Sequence, residues 1–269
     1  MSVGDQYEEF IRFSKVSTLM QKCLKKFYSA SGIHDFHTHV RINPLLDYVK
    51  NAGIDKKKIL EIGCGAGINI FEMNKISNRY QWYIGVDLNR KAIINAKLIC
   101  KKMHIEKTEF FNEDAFHFLE NNLKYAEADI IILYDFLEHI NNPHKFLCQL
   151  NNILLNKHDL IFIISVPTKM YKKVFGDKFN REVGHVMDGY DINMLDKLFK
   201  REGYHRIQKQ YNTGIIGNIG AFLYYNLFGS MNSLFGIFLK SLITLPFRYI
   251  DINGPRVSSS LFAIYTKKD

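Results

Sequence analysis

The sequence predicts an α/β fold in which helices cover both faces of a mostly parallel, doubly wound sheet of seven strands. Short apolar runs alternate with amphipathic segments along most of the chain, which is typical of parallel strands joined by helices. The first run, residues 59–62, leads into three glycines at alternate positions and then into an amphipathic segment. The chain has 269 residues, of which 47% are hydrophobic, so it can form one core and still contain an insertion.

Seven segments are predicted as strands because they are short, apolar or alternating, and bounded by turn residues. They are residues 58–62, 80–86, 108–112, 128–134, 159–166, 204–211 and 257–266. Helical spacing predicts helices over residues 68–77, 90–103, 115–124, 143–155 and, after an Asp191 cap, up to Gly203. In the helix 90–103, the residues expected to face the core are Ile93, Ile94, Leu98 and Met103.

Residues 1–50 are predicted to form an N-terminal helical cap or lid. Apolar residues recur at helical spacing over residues 6–30, opposite a group of lysines. Three histidines follow: His34, His37 and His39. They could bind a metal ion, but no fourth ligand is evident nearby, and a solvated loop is favoured. Pro44 is expected to start a further helix that ends near Gly53.

Residues 213–256 separate the last two predicted strands and are predicted to be an apolar insert in a single domain. The core of that domain would comprise residues 51–212 and 257–269. Residues 210–239 contain no Asp, Glu, Lys or Arg. A membrane span needs about twenty mainly apolar residues, but an insert between two strands of one sheet must return to its starting side. We therefore expect either a lid over an apolar substrate or a helix lying in a membrane surface.

The residues around the glycine turn favour a ligand that carries positive charge. The glycines are Gly63, Gly65 and Gly67. Glycine permits the tight turn and lets backbone N–H groups approach a ligand. Dinucleotide-binding turns read G-x-G-x-x-G, whereas here Glu61 stands two residues before the first glycine and would repel a diphosphate. Asp87 ends the second predicted strand, where an α/β nucleotide fold places a carboxylate on the ribose hydroxyls.

This E-x-G-x-G-x-G segment resembles motif I of the class I S-adenosylmethionine (SAM) methyltransferases, whose cofactor carries an ammonium and a sulfonium group. Asp87, Asp114 and the segment 129–139 follow in the matching order, as in type 11 and quinone-pathway members of the family. The resemblance covers residues 45–212 and the last strand. It implies a Rossmann-like sheet whose seventh strand runs antiparallel, and a SAM-dependent methyltransferase that releases S-adenosylhomocysteine (SAH).

The resemblance also implies the residues of the cofactor site. They are Glu61, Gly63, Cys64, Gly65, Gly67, Asn69, Asp87, Leu88, Asp114, Ala115, Tyr134 and Asp135. In the family, an acid at the position of Asp114 accepts a hydrogen bond from the adenine amino group, and a following backbone N–H meets a ring nitrogen.

The loops after the fourth and fifth strands are expected to hold the methyl acceptor, because ligands of open α/β sheets bind at the carboxyl ends of the strands. The candidate catalytic residues there are His185, His139 and Tyr190. Neutral imidazole can remove a proton from an acceptor O–H or N–H group near neutral pH. For His139 a role in shaping the cofactor pocket is favoured over catalysis, and for His185 both roles stay open.

The segment Asp135-x-x-Glu138-His139 also resembles the D/E-x-x-E-H segment of metal-using relatives, such as certain quinone-pathway and small-RNA methyltransferases. His185 could supply a further ligand to a divalent ion that orients two acceptor oxygens. Similar Glu-His pairs occur in relatives that use no metal. A divalent metal is therefore not among the expected cofactors.

The acceptor is expected to be a small, apolar or lipid-like molecule, because of the insert, with methylation at O or N and with C left open. The net charge is +9, from 36 basic and 27 acidic residues, which suits anionic partners. The lysines are scattered without a basic stripe interleaved with aromatics, so an RNA or nucleic-acid methyltransferase is an alternative only.

A non-catalytic SAM-fold binding or scaffold protein is a second alternative, although every cofactor-facing position carries a suitable residue. An NAD or nucleotide-sugar oxidoreductase would have G-x-G-x-x-G without Glu61.

The cysteines are Cys23, Cys64, Cys100 and Cys148. They form no C-x-x-C pair, which favours free thiols in a reducing compartment. Acidic residues near the N-terminus argue against a signal peptide. A cytoplasmic protein is expected, with contact at a membrane surface through residues 213–256 as an option. The oligomeric state is not predicted.

Overall fold

The computed structural model of the protein describes residues 36–122, 127–154, 159–228 and 234–267. The predicted helix over residues 6–30, together with His34 and Cys23, lies outside the described residues. The strands are β1 Lys58–Ile62, β2 Trp82–Val86, β3 Thr108–Phe111, β4 Ile130–Tyr134, β5 Ile161–Pro167, β6 Tyr204–Asn212 and β7 Ser260–Lys267.

These strands form one seven-stranded sheet in the order β3-β2-β1-β4-β5-β7-β6. The pairs from β3 through to β5 are parallel, and β7 runs antiparallel to both β5 and β6. The predicted doubly wound sheet with an antiparallel seventh strand is therefore confirmed. The order in which strands are added to the sheet reverses between the parallel neighbours β1 and β4, which leaves a crevice at the carboxyl ends of these two strands.

Helices connect the strands on both faces of the sheet. They are α1 Phe36–Asn51, α2 Ile68–Ile76, α3 Arg90–Met103, α4 Ala115–Asn121, α5 Pro143–Ile153, α6 Lys169–Glu182, α7 Ile192–Lys200, α8 Ile215–Phe222 and α9 Leu234–Thr244. One core packs α1, α2 and α3 against the sheet, and a second core packs α4, α5 and α7 against the opposite face. With both faces covered, ligands reach the sheet only at its edges, and the loops there form the site described below.

Helix α3 is the predicted helix 90–103, but its inward face differs from the prediction. Ile93 is buried as expected, whereas Ile94 and Leu98 are 48% and 45% exposed and Met103 is 39% exposed. The buried stripe follows i, i+3 and i+4 spacing and contains Ala92, Ile93, Ala96, Ile99 and Cys100. The prediction was wrong because it weighted residue size over spacing, and small residues define this face.

Helix α1 corrects two predictions. Pro44 lies inside the helix and does not start it, and His37 and His39 belong to its first turns, which were expected to be a solvated loop. An interior proline costs a helix its backbone hydrogen bond. Here tertiary packing outweighs that cost, because Phe36 is fully buried near one end of the helix and Leu45 is fully buried on the other side of Pro44.

The insert between β6 and β7 folds back on α1 and α6. Its described parts are α8, a π-helical turn over Leu223–Leu227, α9 and a 3-10 turn over Leu245–Arg248. A third apolar cluster joins Ala221 and Tyr224 of the insert to Phe36 and Val40 of α1. Within the described part of the chain, no helix combines the length and the apolar character needed to cross a membrane.

Candidate functional site

The glycine turn after β1 is fixed to the end of β2. The N–H groups of Gly63 and Cys64 both donate to the Val86 carbonyl, at 2.8 and 3.1 Å. Gly63 has φ +78° and a Cβ there would lie 2.8 Å from the Phe136 ring, so packing requires glycine. Gly65 also has positive φ, but a Cβ there would meet nothing within 4 Å. The space above Gly65 is therefore open to a ligand.

Glu61 lies beneath this turn as a buried carboxyl group. Its side chain is 1% exposed and accepts hydrogen bonds from Asn69 Nδ2, at 2.6 Å, and from the Tyr83 hydroxyl. Burial raises the pKa of Glu61 to about 8, against the opposing effect of the two donors. At neutral pH burial therefore favours the protonated carboxyl, and a cation bound nearby would favour its ionisation.

Asp87 connects the glycine turn to the strand that follows it. Its Oδ2 accepts the Gly65 N–H at 2.8 Å, and its Oδ1 accepts the Asn89 N–H at 2.7 Å. A carboxylate can accept about four hydrogen bonds, so lone pairs are left for ribose hydroxyls. The carboxylate thus holds the turn in shape and faces the space above it.

A cavity of about 320 Å³ opens between the glycine turn, the end of β2 and the end of β4. The predicted cofactor residues that line it are Glu61, Gly63, Cys64, Gly65, Asn69, Asp87, Tyr134 and Asp135. Four other predicted residues are not among those that line it: Gly67, Leu88, Asp114 and Ala115. Thr38 of α1 lines the cavity as well, so the cap helix closes one side of it.

Asp114 has a structural role that the sequence analysis did not consider. Its Oδ1 accepts the N–H groups of Phe116 and His117, at 2.9 and 3.3 Å, as the N-cap of α4. A capping carboxylate keeps one oxygen for other partners. Its contact with adenine remains a prediction, as does that of Ala115.

Arg41 is a site residue that the sequence analysis missed. It is 5% exposed on α1, forms an ion pair with Asp135, and donates to Ser165 Oγ at 3.2 Å. The Tyr134 hydroxyl donates to the Arg41 carbonyl at 2.9 Å. These contacts fasten the cap helix to the ends of β4 and β5. The only sequence signal is a lone arginine within an otherwise apolar stripe of α1.

Three titratable side chains meet beside Arg41 at the ends of β4 and β5. Glu138 is fully buried in the short 3-10 turn Leu137–His139, and His185 follows α6. The His139 and His185 rings lie 5.0 Å apart, and His185 Nε2 is 3.9 Å from Glu138 Oε1. One ligand atom from each of the three residues lies within 4.8 Å of the others. We call these residues the Glu138 cluster.

The hydrogen bonds of the Glu138 cluster fix its tautomers. His139 Nδ1 lies 3.1 Å from the Gly184 carbonyl, which can only accept, so this nitrogen carries the proton. His185 Nδ1 lies 2.7 Å from Asn180 Oδ1 and is likewise the N–H donor. In each neutral imidazole, Nε2 then presents its lone pair. Neither Glu138 oxygen has a hydrogen-bond partner among the described residues.

Burial shifts the pKa values of this cluster in opposite directions. Burial raises the pKa of Glu138, against the opposing effects of His139 and Arg41. Burial, assisted by the charges of His139 and Arg41, lowers the pKa of His185 to about 4. His185 is therefore a neutral proton acceptor at pH 7, and the ionised form of Glu138 is stabilised only in part by its neighbours.

The loop that carries His185 is tied to the Glu138 segment. The Val186 N–H donates to the Glu138 carbonyl at 2.9 Å, and the Tyr190 hydroxyl donates to the Leu137 carbonyl at 3.0 Å. Tyr190 is 2% exposed, and burial raises its pKa. In this arrangement Tyr190 holds the loop in position. Asp135, which the sequence analysis also named as a possible metal ligand, is paired with Arg41 and lies outside the cluster.

The fold and site together define a class of protein. The sheet order, the glycine turn after β1 and the acid after β2 are those of an α/β protein that binds a nucleoside-containing cofactor at the carboxyl edge of its sheet. The titratable cluster at the same edge adds groups that can move a proton.

Comparison with known proteins defines the family. Residues 54–209 match the family described as "Methyltransferase domain". The chain is 30% identical over 156 residues to a ubiquinone biosynthesis O-methyltransferase of Glaesserella parasuis serovar 5 (strain SH0165), covering 54% of this chain and 61% of the relative. It is 34% identical over 104 residues to a protein of the same name from Aromatoleum aromaticum (strain DSM 19018 / LMG 30748 / EbN1). That match covers 38% of this chain and 42% of the relative. The chain thus spans less than two thirds of the length of these relatives.

Solved structures share the fold. Magnesium protoporphyrin IX methyltransferase (ChlM) from Synechocystis PCC 6803 with bound SAH has a TM-score of 0.51 at 12% identity, covering 98% of this chain and 94% of that chain. The N-methyltransferase NodS from Bradyrhizobium japonicum WM9 in complex with SAH has a TM-score of 0.51 at 14% identity, covering 88% of each chain. The chain belongs to the class I SAM-dependent methyltransferase family, as the resemblance implied.

Proposed function

We propose that this protein transfers the methyl group of SAM to a hydroxyl oxygen on the aromatic ring of a small, quinone-like acceptor. One observation carries the proposal: the Glu138 cluster, which can accept a proton, lies at the same sheet edge as the cavity of the glycine turn. Asp135, which lines that cavity, is only three residues from Glu138. The names of the two curated relatives favour oxygen as the methylated atom and a quinone precursor as the acceptor.

In this proposal SAM occupies the cavity above the glycine turn. Asp87 would accept hydrogen bonds from the ribose hydroxyls, and Glu61 would ionise beside the cationic end of the ligand. The ion pair between Arg41 and Asp135 marks the boundary between the donor cavity and the acceptor side. A methyl group at that boundary could be attacked in line by an acceptor oxygen bound near His185.

The acceptor hydroxyl loses its proton as the new bond forms. His185 Nε2 accepts this proton, the oxygen bonds to the methyl carbon, and the carbon–sulfur electron pair returns to sulfur to give SAH. The Asn180 side chain keeps His185 in the required tautomer. An ionised Glu138, 3.9 Å away, would stabilise the imidazolium that results.

The Glu138 cluster also fits a divalent cation. Glu138 offers a buried carboxylate without a hydrogen-bond partner among the described residues, and both imidazoles hold their Nδ1–H groups on oxygen acceptors, as metal-bound histidines do. A cation held by Glu138, His139 and His185 would lower the pKa of an acceptor hydroxyl. We propose that the cluster works without a metal, so activity should survive exhaustive dialysis against a chelator. Loss of activity that added Mg²⁺ or Zn²⁺ restores would instead assign these residues as ligands.

The proposed reaction can be tested with methyl-labelled SAM and a set of acceptors of different chemistry. The set contains a catechol, a prenylated catechol, a secondary amine and bulk RNA. We expect label on a catechol oxygen, and more with the prenylated acceptor because the insert is rich in apolar residues. Transfer to the amine or to RNA alone would contradict the proposal, and binding of SAM without transfer to any acceptor would favour a non-catalytic protein.

A further inference from the structure

The insert has an apolar outer face that the chain leaves in contact with solvent. On α8, Ile215, Ile219 and Phe222 are 43%, 48% and 52% exposed, and their spacing places them on one side of the helix. Six other apolar residues of the insert are exposed as well: Leu227, Leu242, Ile243, Tyr249, Ile250 and Ile252. The Ile215 N–H donates to the Ile252 carbonyl at 3.1 Å, so residues 249–252 adjoin the start of α8 and extend its outer face.

The opposite side of α8 is already occupied. Gly217, Gly220 and Ala221 are buried, and a Cβ on Gly220 would lie 2.5 Å from both Phe36 and Phe247. Apart from Asn218, whose side-chain amide donates to the Val257 carbonyl, helix α8 is apolar, with one side packed on the protein and the other side open. A surface helix of a monomer normally places polar residues on its open side. This outer face needs an apolar partner.

Charge around the outer face identifies the kind of partner. Residues 213–256 contain three basic residues and a single acidic one, Asp251. Of the basic residues, Arg256 is exposed, whereas Lys240 is buried over the Tyr224 ring on the inner side of the insert. The Asp251 carboxylate accepts the N–H groups of Gly214 and Gly217, at 2.5 and 3.0 Å, and so is used within the insert. Helix α6, which meets the insert through Phe175 and Tyr225, bears exposed lysines at positions 169 and 173. Anionic lipid attracts such a surface, whereas a second copy with net charge +9 is repelled.

We propose that the outer face of the insert docks on the surface of an anionic lipid bilayer. The apolar side chains of α8 and of residues 249–252 enter the boundary between headgroups and acyl chains, while the lysines of α6 contact lipid phosphates. Tyr249, with an aromatic ring and a hydroxyl, suits the headgroup level. The inner side of the insert stays packed on α1, so docking leaves the cavity of the glycine turn intact.

Co-sedimentation of the full chain with vesicles tests this proposal, and no methyl acceptor is required. We expect binding to vesicles of phosphatidylcholine mixed with phosphatidylglycerol, weaker binding to phosphatidylcholine alone, and a decrease with added salt. The double variant Ile219→Ser/Phe222→Ser should lose roughly tenfold in partition coefficient. The matched control, Ile94→Ser/Leu98→Ser, removes two equally exposed apolar residues from α3 and should bind like the unmodified protein.

Three results would overturn the proposal. The first is an unmodified protein that binds neither kind of vesicle, and the second is a double variant that binds as well as its control. The third is a fall in the thermal midpoint or in the sedimentation coefficient of the Ile219→Ser/Phe222→Ser variant alone. That result would show that this chain or a second copy already covers the face. A failed methylation assay with retained vesicle binding would contradict the proposed function and leave the docking surface in place.

Discussion

The cavity of the glycine turn and the Glu138 cluster lie side by side at one sheet edge, but their carboxyl groups are partnered in different ways. Glu61 and Asp87 each accept two hydrogen bonds from the protein. Neither Glu138 oxygen has such a partner within the described ranges. Glu61 and Asp87 are thus held in fixed positions, which suits a site that binds one constant ligand, as SAM would be. The Glu138 carboxyl group lacks a hydrogen bond from the described part of the protein, which indicates that a bound substrate supplies its partner.

The comparison predicts that substitutions in the cavity of the glycine turn weaken SAM binding, whereas substitutions in the Glu138 cluster lower turnover. The largest expected effect is the loss of turnover on substitution of His185. His185→Ala removes the proposed proton acceptor, and general-base catalysis is typically worth about 10²–10⁴ in rate. We expect turnover with a catechol acceptor at saturating SAM to fall within that range. His144→Ala, which removes a half-exposed histidine on α5, should leave turnover unchanged.

A His185→Ala enzyme with normal turnover would contradict the proposed role, and the proton would then leave by another route. The same loss in a chelated and in an untreated sample would support a base without a metal.

The second effect concerns the pH dependence of SAM affinity. Burial raises the pKa of Glu61 to about 8, and a bound cation would favour the ionised carboxylate, so binding should release a proton. Affinity should therefore rise as pH rises from 6 to 8, by roughly ten- to fiftyfold, and level off above pH 8. Calorimetry in two buffers of different ionisation enthalpy measures both the affinity and the proton release. A flat profile for the unmodified protein, equal to that of Glu61→Gln, would show that Glu61 does not sense the ligand charge.

The third effect is on stability and concerns the contact between cap and sheet. Arg41→Met removes the ion pair with Asp135 and the hydrogen bond to Ser165. Because Asp135 is 42% exposed, solvent screens part of the interaction, and we expect the free energy of unfolding to fall by about 1–2 kcal/mol. Urea unfolding measures the change. Arg79→Met breaks an exposed pair with Asp55 and should cost less than about 0.5 kcal/mol. Equal losses in the two variants would mean that Arg41 does not anchor the cap.

The same comparison explains which parts were predictable from sequence. Buried parallel strands read as apolar runs, so the seven strands followed from local pattern. The antiparallel seventh strand and eight residues that line the cavity were instead implied by the family resemblance. Helix α6 was missed because its side chains are mainly polar and Gly176 interrupts its backbone. Arg41 was missed because its partners, Asp135 and Ser165, are distant in sequence.

The Glu138 cluster was predictable from sequence only in part. The D/E-x-x-E-H resemblance and the expected loops after the fourth and fifth strands grouped Glu138, His139 and His185 in advance, and the structure brings these three together. The same set included Asp135, which the structure instead pairs with Arg41. The pairing of side chains from distant segments depends on how the helices and strands pack together. The spacing of residues along the sequence does not determine that packing.

Calorimetric titration of SAM into three proteins tests the central claim, that donor binding and proton removal belong to separate neighbouring regions. The unmodified protein, Asp87→Ala and His185→Ala should be compared at one pH. Asp87→Ala should weaken SAM binding by about 1.5–3 kcal/mol, the scale of a hydrogen bond to a charged group. His185→Ala should bind SAM as tightly as the unmodified protein. Unchanged affinity in a folded Asp87→Ala protein, or a loss of equal size in His185→Ala, would contradict the account.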